Sequence, residues 1–269
     1  MLKNGIVWKD TQGNPLHAHG GYMIFHEGYY YWYGEDRRNN FYVSCYRSQN
    51  LTDWEFRNHI LTTNSKMEGY RVRTTLKLIN EDGKKVNLER PKVLYNKKTN
   101  KFVMWAHFEN GKNYLDAAVA IATCDTPDGD FTYHGHFNPY GYMSRDCTLY
   151  QEEDGTAYFI SASRDNADLH VYRLSDDYMN VDCLVHSLWQ GEYRDLCLFF
   201  LSLFLRLCVD ILCLFFFFPL GIASKFLWVN TIVYYFFTER VNVFAGLNAG
   251  MLCSGMIIVV FLEMLRAVF

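Results

Sequence analysis

The sequence predicts an all-β fold for residues 1–194, and two repeated patterns lead to that class. Three segments each contain a β-branched or aromatic run, a short polar turn and a second such run, which together indicate a β-hairpin. They read GYMIFHEGYYYWYGE at 21–35, PKVLYNKKTNKFVMWAH at 91–107 and RDCTLYQEEDGTAYFIS at 145–161. Each hairpin is followed by a third strand-like segment, and these are VSCYRS at 43–48, AVAIAT at 118–123 and LHVYRL at 169–174. A polar turn that closes on an aromatic residue then follows in each repeat.

Sets of strands that recur with similar turns are typical of a β-propeller, in which each repeat forms one antiparallel blade. We therefore predict three blades, at about residues 15–56, 88–134 and 144–190. A polar insertion at about 56–87 is expected to form a loop over one face. An open β-sandwich whose hairpins resemble one another by chance is the alternative fold.

Composition divides the chain into two unlike parts. All nine His residues lie at or before His186, whereas thirteen of the twenty-one Phe residues follow Arg194. The net charge of -3 gives no reason to expect nucleic acid or an anionic membrane as a partner. The first residues, MLKNGIVWKDTQGN, have no apolar h-region and no small-residue cleavage site, so we expect no secretory signal and a cytoplasmic location.

The four cysteines of the first part show none of the paired spacings of a zinc site. They are Cys45, Cys124, Cys147 and Cys183. We interpret them as reduced, half-buried strand residues. The sequence predicts no cofactor and no metal site.

Polar groups recur near the start of each repeat, where a propeller places its ligand site. They are AHGG at 18–21, LERPK at 88–92 and SRD at 144–146. Carboxylates suit sugar chemistry, because they bind hydroxyls and because glycosidic cleavage uses a pair of carboxyl groups, one of them protonated. An oligosaccharide or polysaccharide is therefore the expected partner.

These motifs resemble those of glycoside hydrolase family 43, within it the exo-β-1,3-galactanase group. The resemblance runs from about Gly5 to Arg194 and rests on NPLHAHGGYMIFHEGYYYWYGE, LERPKVLYN, KFVMWAHFE, MSRDCTLYQEEDGTAYFI and LSDDY. It implies a five-bladed propeller, of which this chain carries about three blades. It also implies exo-acting hydrolysis of β-1,3-galactan, or of a related β-galactoside, with inversion.

The resemblance implies roles for individual residues. Asp146 matches the carboxylate that orients the general acid and tunes its pKa, and Glu89 matches one that holds the non-reducing sugar. Glu35 and Tyr114 match substrate-contacting positions, and Asn166 is expected to be another.

His19 stands where most members of the family place their Asp general base, so a residue of a later blade is expected to position the water. From the resemblance, His19 is a candidate substrate-binding residue. Taken alone, a lone His is more often a core imidazole bonded to backbone, and that is the alternative interpretation of His19. Glu89 and Asp146 could equally be members of structural ion pairs. The acidic pairs in the later turns, Glu152, Glu153, Asp176 and Asp177, are expected to be solvated.

The resemblance ends at the position of the catalytic acid. The family has an REAP motif there, whereas this chain reads YRDLC and has Asp195 in place of the Glu. Residues 195–269 form an apolar tail whose first long run contains Arg206 and Asp210, charges that are costly in a membrane helix. We interpret the tail as a non-native, helical frameshift product. A genuine membrane segment is the alternative, and a membrane partner is expected only in that case.

The sequence therefore predicts a glycosidase by family that is inactive as written, because the catalytic Glu and the last two blades are missing. An inactive, membrane-tethered carbohydrate-binding propeller is the second hypothesis. A polysaccharide lyase or another propeller would share the fold only.

Overall fold

The structure, a computed structural model, describes residues 5–71 and 75–191. The predicted tail, 195–269, lies outside the described residues, as does Asp195. Within the described residues, no helix has the length and apolar character needed to cross a membrane. The one helix there is a single 3-10 turn, Pro139–Gly141.

Twelve strands form three four-stranded antiparallel sheets in the described part of the chain. Sheet 1 contains β1 (His19–His26), β2 (Tyr29–Glu35), β3 (Phe41–Ser48) and β4 (Glu55–Thr62). Sheet 2 contains β5 (Asn87–Asn96), β6 (Lys101–Glu109), β7 (Ala118–Cys124) and β8 (Thr132–Phe137). Sheet 3 contains β9 (Cys147–Gln151), β10 (Ala157–Ser163), β11 (Asp168–Leu174) and β12 (Val181–Leu188).

Strand order within each sheet follows chain order, so each repeat of the sequence is one up-and-down sheet. β5 contacts β1 of the sheet before it and β9 of the sheet after it, so the first strand of each sheet lies on the inner side. The all-β prediction is confirmed for the described residues, and the three sheets have the arrangement expected of three propeller blades.

Two details differ from the sequence prediction. The turn that closes on Trp54 leads into β4, which extends sheet 1 to Thr62, beyond the expected limit near residue 56. The expected loop at 56–87 is therefore a shorter connection between Thr62 and Asn87. β8 and β12 likewise follow the polar turns of their repeats, so each sheet has four strands where the clearest pattern indicated three.

Side chains alternate along β6 between the two neighbouring sheets, as a strand buried on both faces requires. Phe102, Met104 and Ala106 face sheet 1 in a core that we call the first interface. Val103 and Trp105 face sheet 3 in the second interface. Because burying an apolar side chain stabilises by about 1.5 to 3 kcal/mol, these two interfaces hold the sheets together.

Each interface contains one buried cysteine, Cys45 in the first and Cys147 in the second. All four cysteines of the described part are free and lie in strands. Their positions in strands agree with the prediction, but Cys45 and Cys147 are buried rather than half-buried, and their reduced state stays a prediction.

Candidate functional site

The predicted site residues gather at one end of the strands. We call it the site end, the end at which β1, β5 and β9 begin. Strand register places the β2–β3, β6–β7 and β10–β11 hairpins there too, because His19 pairs with Glu35, Glu89 with His107 and Cys147 with Ser161. The three hairpins and the three strand starts therefore supply the side chains of one surface.

Glu35 ends β2 and is the most buried of the predicted site residues, with its side chain 1% exposed. Its Oε2 accepts hydrogen bonds from Arg37 Nε at 3.0 Å and Nη2 at 2.8 Å. Its Oε1 accepts the backbone N–H of Arg90 at 2.9 Å, and His19 Nδ1 lies 3.5 Å from the same oxygen. A buried carboxylate needs such partners, since an unpaired buried charge is strongly destabilising.

Glu89 lies on β5 and contacts the loop between β6 and β7. Its Oε1 accepts the Tyr114 hydroxyl at 2.7 Å and Arg37 Nη2 at 3.2 Å. The hydrogen bond to Glu89, with some burial, raises the pKa of Tyr114, so this hydroxyl stays protonated and acts as a donor. Arg37 thus links the carboxylates of Glu35 and Glu89.

Asp146 comes directly before β9 and pairs with Arg90 of sheet 2. Arg90 Nε donates to Oδ1 at 3.0 Å and Nη2 donates to Oδ2 at 3.1 Å, which is the two-pronged geometry that suits a guanidinium and a carboxylate. The hydrogen bond to Asp146 raises the pKa of Arg90. Asp146 remains 46% exposed, so solvent and ligands can reach it.

Two arginines therefore join three carboxylates from three sheets. We call this set, Glu35, Glu89, Asp146, Arg37 and Arg90, the site network. Its members are separated by up to 111 positions in the sequence, as between Glu35 and Asp146, yet they are connected by hydrogen bonds. Carboxylates that are held in place can accept hydrogen bonds from several sugar hydroxyls at once.

Matching bulges at the start of β1 and β5 give this network its geometry. The register shifts between His19 and Tyr22 and again between Glu89 and Lys92. Gly20 (φ 56°) and Arg90 (φ 53°) have left-handed backbone conformations in these bulges. Glycine adopts this conformation without strain, and a Cβ on Gly20 would lie 2.9 Å from Glu35 Oε1, so a larger residue would displace that carboxylate. The bulges re-aim the strand ends and direct the Arg90 N–H at Glu35.

The chain is similar to solved structures of galactan-degrading enzymes. It matches an exo-β-1,3-galactanase from Clostridium thermocellum at 45% identity and a TM-score of 0.63, over 72% of this chain and 42% of that one. It matches an exo-β-1,3-galactanase from Phanerochaete chrysosporium, solved with galactose, at 34% identity and a TM-score of 0.59, over 71% and 42%. A β-1,3-galactosidase of glycoside hydrolase family 43, solved with galactodeoxynojirimycin, matches at 30% identity and a TM-score of 0.60, over 71% and 67%.

The chain belongs to glycoside hydrolase family 43. It spans 42% of the length of each of the two galactanases. No family model matches the sequence, and no curated protein matches it either.

Among the residues predicted from the family resemblance, Glu35, Glu89, Tyr114 and Asp146 are joined through the site network. Asn166 lies exposed in the β10–β11 turn at the same end, outside the hydrogen bonds of that network as far as the chain is described.

The alternative interpretation of His19 as a core imidazole is wrong, whereas its role in substrate binding stays a prediction. Its side chain is 72% exposed and lies against Glu35, because the bulge after it turns the start of β1 outward. Glu89 and Asp146 each pair with an arginine of another part of the chain, as the ion-pair interpretation expects, and their roles in substrate binding and catalysis stay predictions.

Sequence reasoning missed four members of the site: Arg37, Arg90, His107 and Glu109. Arg37 and Arg90 are adjacent or nearly adjacent to predicted site residues, but their partners lie 52 and 56 positions away. His107 and Glu109 alternate with Val103 and Trp105 on one face of β6, and that break in an apolar alternation was a usable signal. No group of three or more His, Cys, Asp or Glu side chains within residues 5–71 and 75–191 is arranged to hold a metal ion.

Proposed function

We propose that these three sheets form the sugar-binding part of an exo-acting, inverting hydrolase of β-1,3-linked galactose. The observation that carries the proposal is the site network, three carboxylates from three sheets held by two arginines at one end of the strands. The galactanases that the chain resembles support it, because one was solved with galactose and another form of it with β-1,3-galactotriose.

The network suits the recognition of a terminal sugar. Glu89 offers a carboxylate to hydroxyl groups, and its bonds to Tyr114 and Arg37 keep that carboxylate in a fixed position. Glu35 is buried and contributes by holding Arg37 and the backbone N–H of Arg90 in place. Asp146 is half exposed and oriented by Arg90, and its SRD motif resembles the one that carries the family's carboxylate controlling the general acid. Fixed hydrogen-bonding groups favour catalysis, because a ligand misplaced by about 1 Å can react about 100-fold more slowly.

We propose further that the 269-residue chain does not complete the reaction. Inverting hydrolysis needs a protonated acid at the leaving oxygen and a positioned water on the opposite face. The residue at the position of the family's acid is Asp195, whose carboxyl group is one methylene closer to the backbone than that of Glu. The sequence after it has none of the family motifs, which supports our proposal that residues 195–269 arise from a shift of reading frame.

The nucleotide sequence across codon 195, translated in all three frames, tests the frameshift proposal directly. We expect one alternative frame to encode an REAP motif followed by two more strand-turn repeats. If neither alternative frame does so, the tail is genuine, and the membrane-tethered carbohydrate-binding protein becomes the better hypothesis.

The hydrolytic proposal is tested by incubating the purified chain and a frame-repaired version with β-1,3-galactan. We expect the chain to bind galactose without releasing it from the polymer, and the repaired protein to release galactose with inverted anomeric configuration, followed by proton NMR. In the repaired protein Glu89→Gln and Asp146→Asn should each lower turnover about 100-fold or more. Release of galactose by the 269-residue chain itself would contradict the proposal.

A further inference from the structure

Two buried polar residues at the end of β6 lie behind the site network. His107 and Glu109 are 3% and 0% exposed and continue the row of Val103 and Trp105 that faces sheet 3. His107 Nε2 and Glu109 Oε1 are 2.8 Å apart, a hydrogen-bond distance. Burying polar side chains is costly unless they are hydrogen-bonded, so the presence of these two here needs a reason beyond packing.

The imidazole of His107 lies between two carboxylates. Its Nε2 contacts Glu109, and its Nδ1 lies 3.7 Å from Glu89 Oε2. That Nδ1 is buried and has no hydrogen-bond partner among the described residues. Glu89 Oε1 is already occupied by Tyr114 and Arg37, so His107 is the polar group that faces the other oxygen.

The second oxygen of Glu109 holds the β6–β7 loop, which carries Tyr114. Glu109 Oε2 accepts the backbone N–H groups of Asp116 and Ala117, both at 3.1 Å. Asn138 Nδ2 donates to the carbonyl oxygens of the same two residues, at 3.0 and 2.9 Å. The backbone N–H groups and the carbonyl oxygens at the end of the loop are therefore all hydrogen-bonded to these two side chains.

The same contact reaches the Asp146 segment. The carbonyl oxygen of Ala117 also accepts the backbone N–H of Ser144 at 2.6 Å, two residues before Asp146. One carboxylate, that of Glu109, is therefore connected through His107 to Glu89, through the loop to Tyr114, and through Ala117 to the strand entry at Asp146.

We propose that His107 and Glu109 are positioning residues that set the orientation of Glu89 and Tyr114 for sugar binding. The inference rests on the proposed function of that site. His107 restrains one oxygen of Glu89, while Glu109 fixes both the ring of His107 and the loop that brings the Tyr114 hydroxyl to the other oxygen. Neither residue touches the sugar.

Sheet 3 offers a matched control. His170 is buried on β11, 3.6 Å from the carboxylate of Asp168, but its Nδ1 hydrogen-bonds with the Tyr172 hydroxyl and does not face a carboxylate of the site network. Substituting His170 removes a buried histidine without changing the contacts of Glu89 or Tyr114.

The test compares galactose affinity of the 269-residue chain and its variants by calorimetry or NMR titration. We expect Glu109→Ala and His107→Gln to weaken galactose binding about 10-fold or more, the effect of losing a buried hydrogen bond to a charged group. Glu109→Gln should recover most of the affinity, because its side chain can still accept the two backbone N–H groups and bond His107. His170→Gln should lower the melting temperature yet leave the affinity within about twofold.

A second readout needs no ligand. Hydrogen exchange of the Asp116 and Ala117 amides should become at least about 10-fold faster in Glu109→Ala and stay unchanged in His170→Gln. Parental affinity in both Glu109→Ala and His107→Gln would overturn the inference, as would unchanged exchange in Glu109→Ala. If the parent chain does not bind galactose, the proposed function fails, and the exchange measurement still decides whether Glu109 positions the loop.

Discussion

At the site end of the strands the side chains of Glu35 and Glu109 are buried, whereas at the opposite end an ion pair between two hairpin turns is exposed. There, Lys98 of the β5–β6 turn pairs with Asp176 of the β11–β12 turn at 2.8 Å, and both side chains are exposed. The hairpin turns at that end are short and glycine-containing or polar, as at Gly28. In these examples the carboxylates of the site end are buried and the ion pair of the opposite end is exposed.

The two ends differ in how much the charged groups affect the stability of the fold. Exposed ion pairs contribute little, about 0 to 1 kcal/mol, and their loss is tolerated. Buried carboxylates are stable only when every partner is in place, so they concentrate where a function requires fixed polar groups. Substitutions at the two ends should therefore have unequal effects.

The largest difference is expected between two glycines. A Cβ on Gly34, at the site end, would lie 2.2 Å from the backbone of Ala18, while Gly28, at the opposite end, has nothing within 4 Å. Gly34→Ala should lower the free energy of unfolding by more than about 3 kcal/mol, because backbone has to move. Gly28→Ala should cost about 1 kcal/mol, from its left-handed φ of 85° alone. Urea unfolding followed by tryptophan fluorescence measures both, and equal losses would contradict the comparison.

A smaller effect is expected from removing a carboxylate at each end. Glu35→Ala leaves the buried N–H of Arg90 without its acceptor and should cost about 2 to 3 kcal/mol in the same unfolding experiment. Arg37 is largely exposed and can return to solvent, which limits the loss. Asp176→Ala, the control at the opposite end, should leave the unfolding midpoint unchanged within error. A cost for Asp176→Ala as large as for Glu35→Ala would remove the distinction between the ends.

The smallest expected effect is on the way the free energy of unfolding changes with pH. Burial raises the pKa of Asp36, but hydrogen bonds from Arg38 and Ser44 outweigh it and lower that pKa to about 2, from an ordinary value of 3.8. The unfolded chain therefore binds the proton first as pH falls, so the stabilisation is present above about pH 4 and is lost as pH falls toward 2.

Asp36→Asn should accordingly lower the free energy of unfolding at pH 7 by about 2 kcal/mol and flatten its fall between pH 4 and 2. Asp176→Asn provides the control, since its pKa is lowered by an exposed lysine that solvent screens. A profile for Asp36→Asn as steep as that of the parent would show that other acids dominate the transition.

The repeats could be predicted from the sequence because turn chemistry is local. The turns HEG, NKKTNK and EEDG each separate two apolar runs, and the structure has a hairpin at each of them. β4 was harder to recognise, because EFRNHILT mixes polar and apolar residues without a clean alternation.

The site could be predicted only in part, because its partners are not local. Glu89 and Asp146 follow from repeated motifs and Glu35 from the family resemblance. The bonds from Arg37 to Glu89 and from Arg90 to Asp146 depend on how neighbouring sheets pack. The outward position of His19 depends on a bulge at Gly20, which the GG pair allowed but did not specify.

Each of the two interfaces contains one buried cysteine, and the reactivity of its thiol depends on whether that interface stays packed. Burial raises the pKa of Cys45 and raises that of Cys147 to about 11, so neither thiol reacts readily while its sheets remain packed together. Alkylation of Cys45 requires sheets 1 and 2 to separate, and alkylation of Cys147 requires sheets 2 and 3 to separate. Mass spectrometry can show which of the two cysteines is alkylated first. The order of alkylation therefore shows which neighbouring pair of sheets separates first.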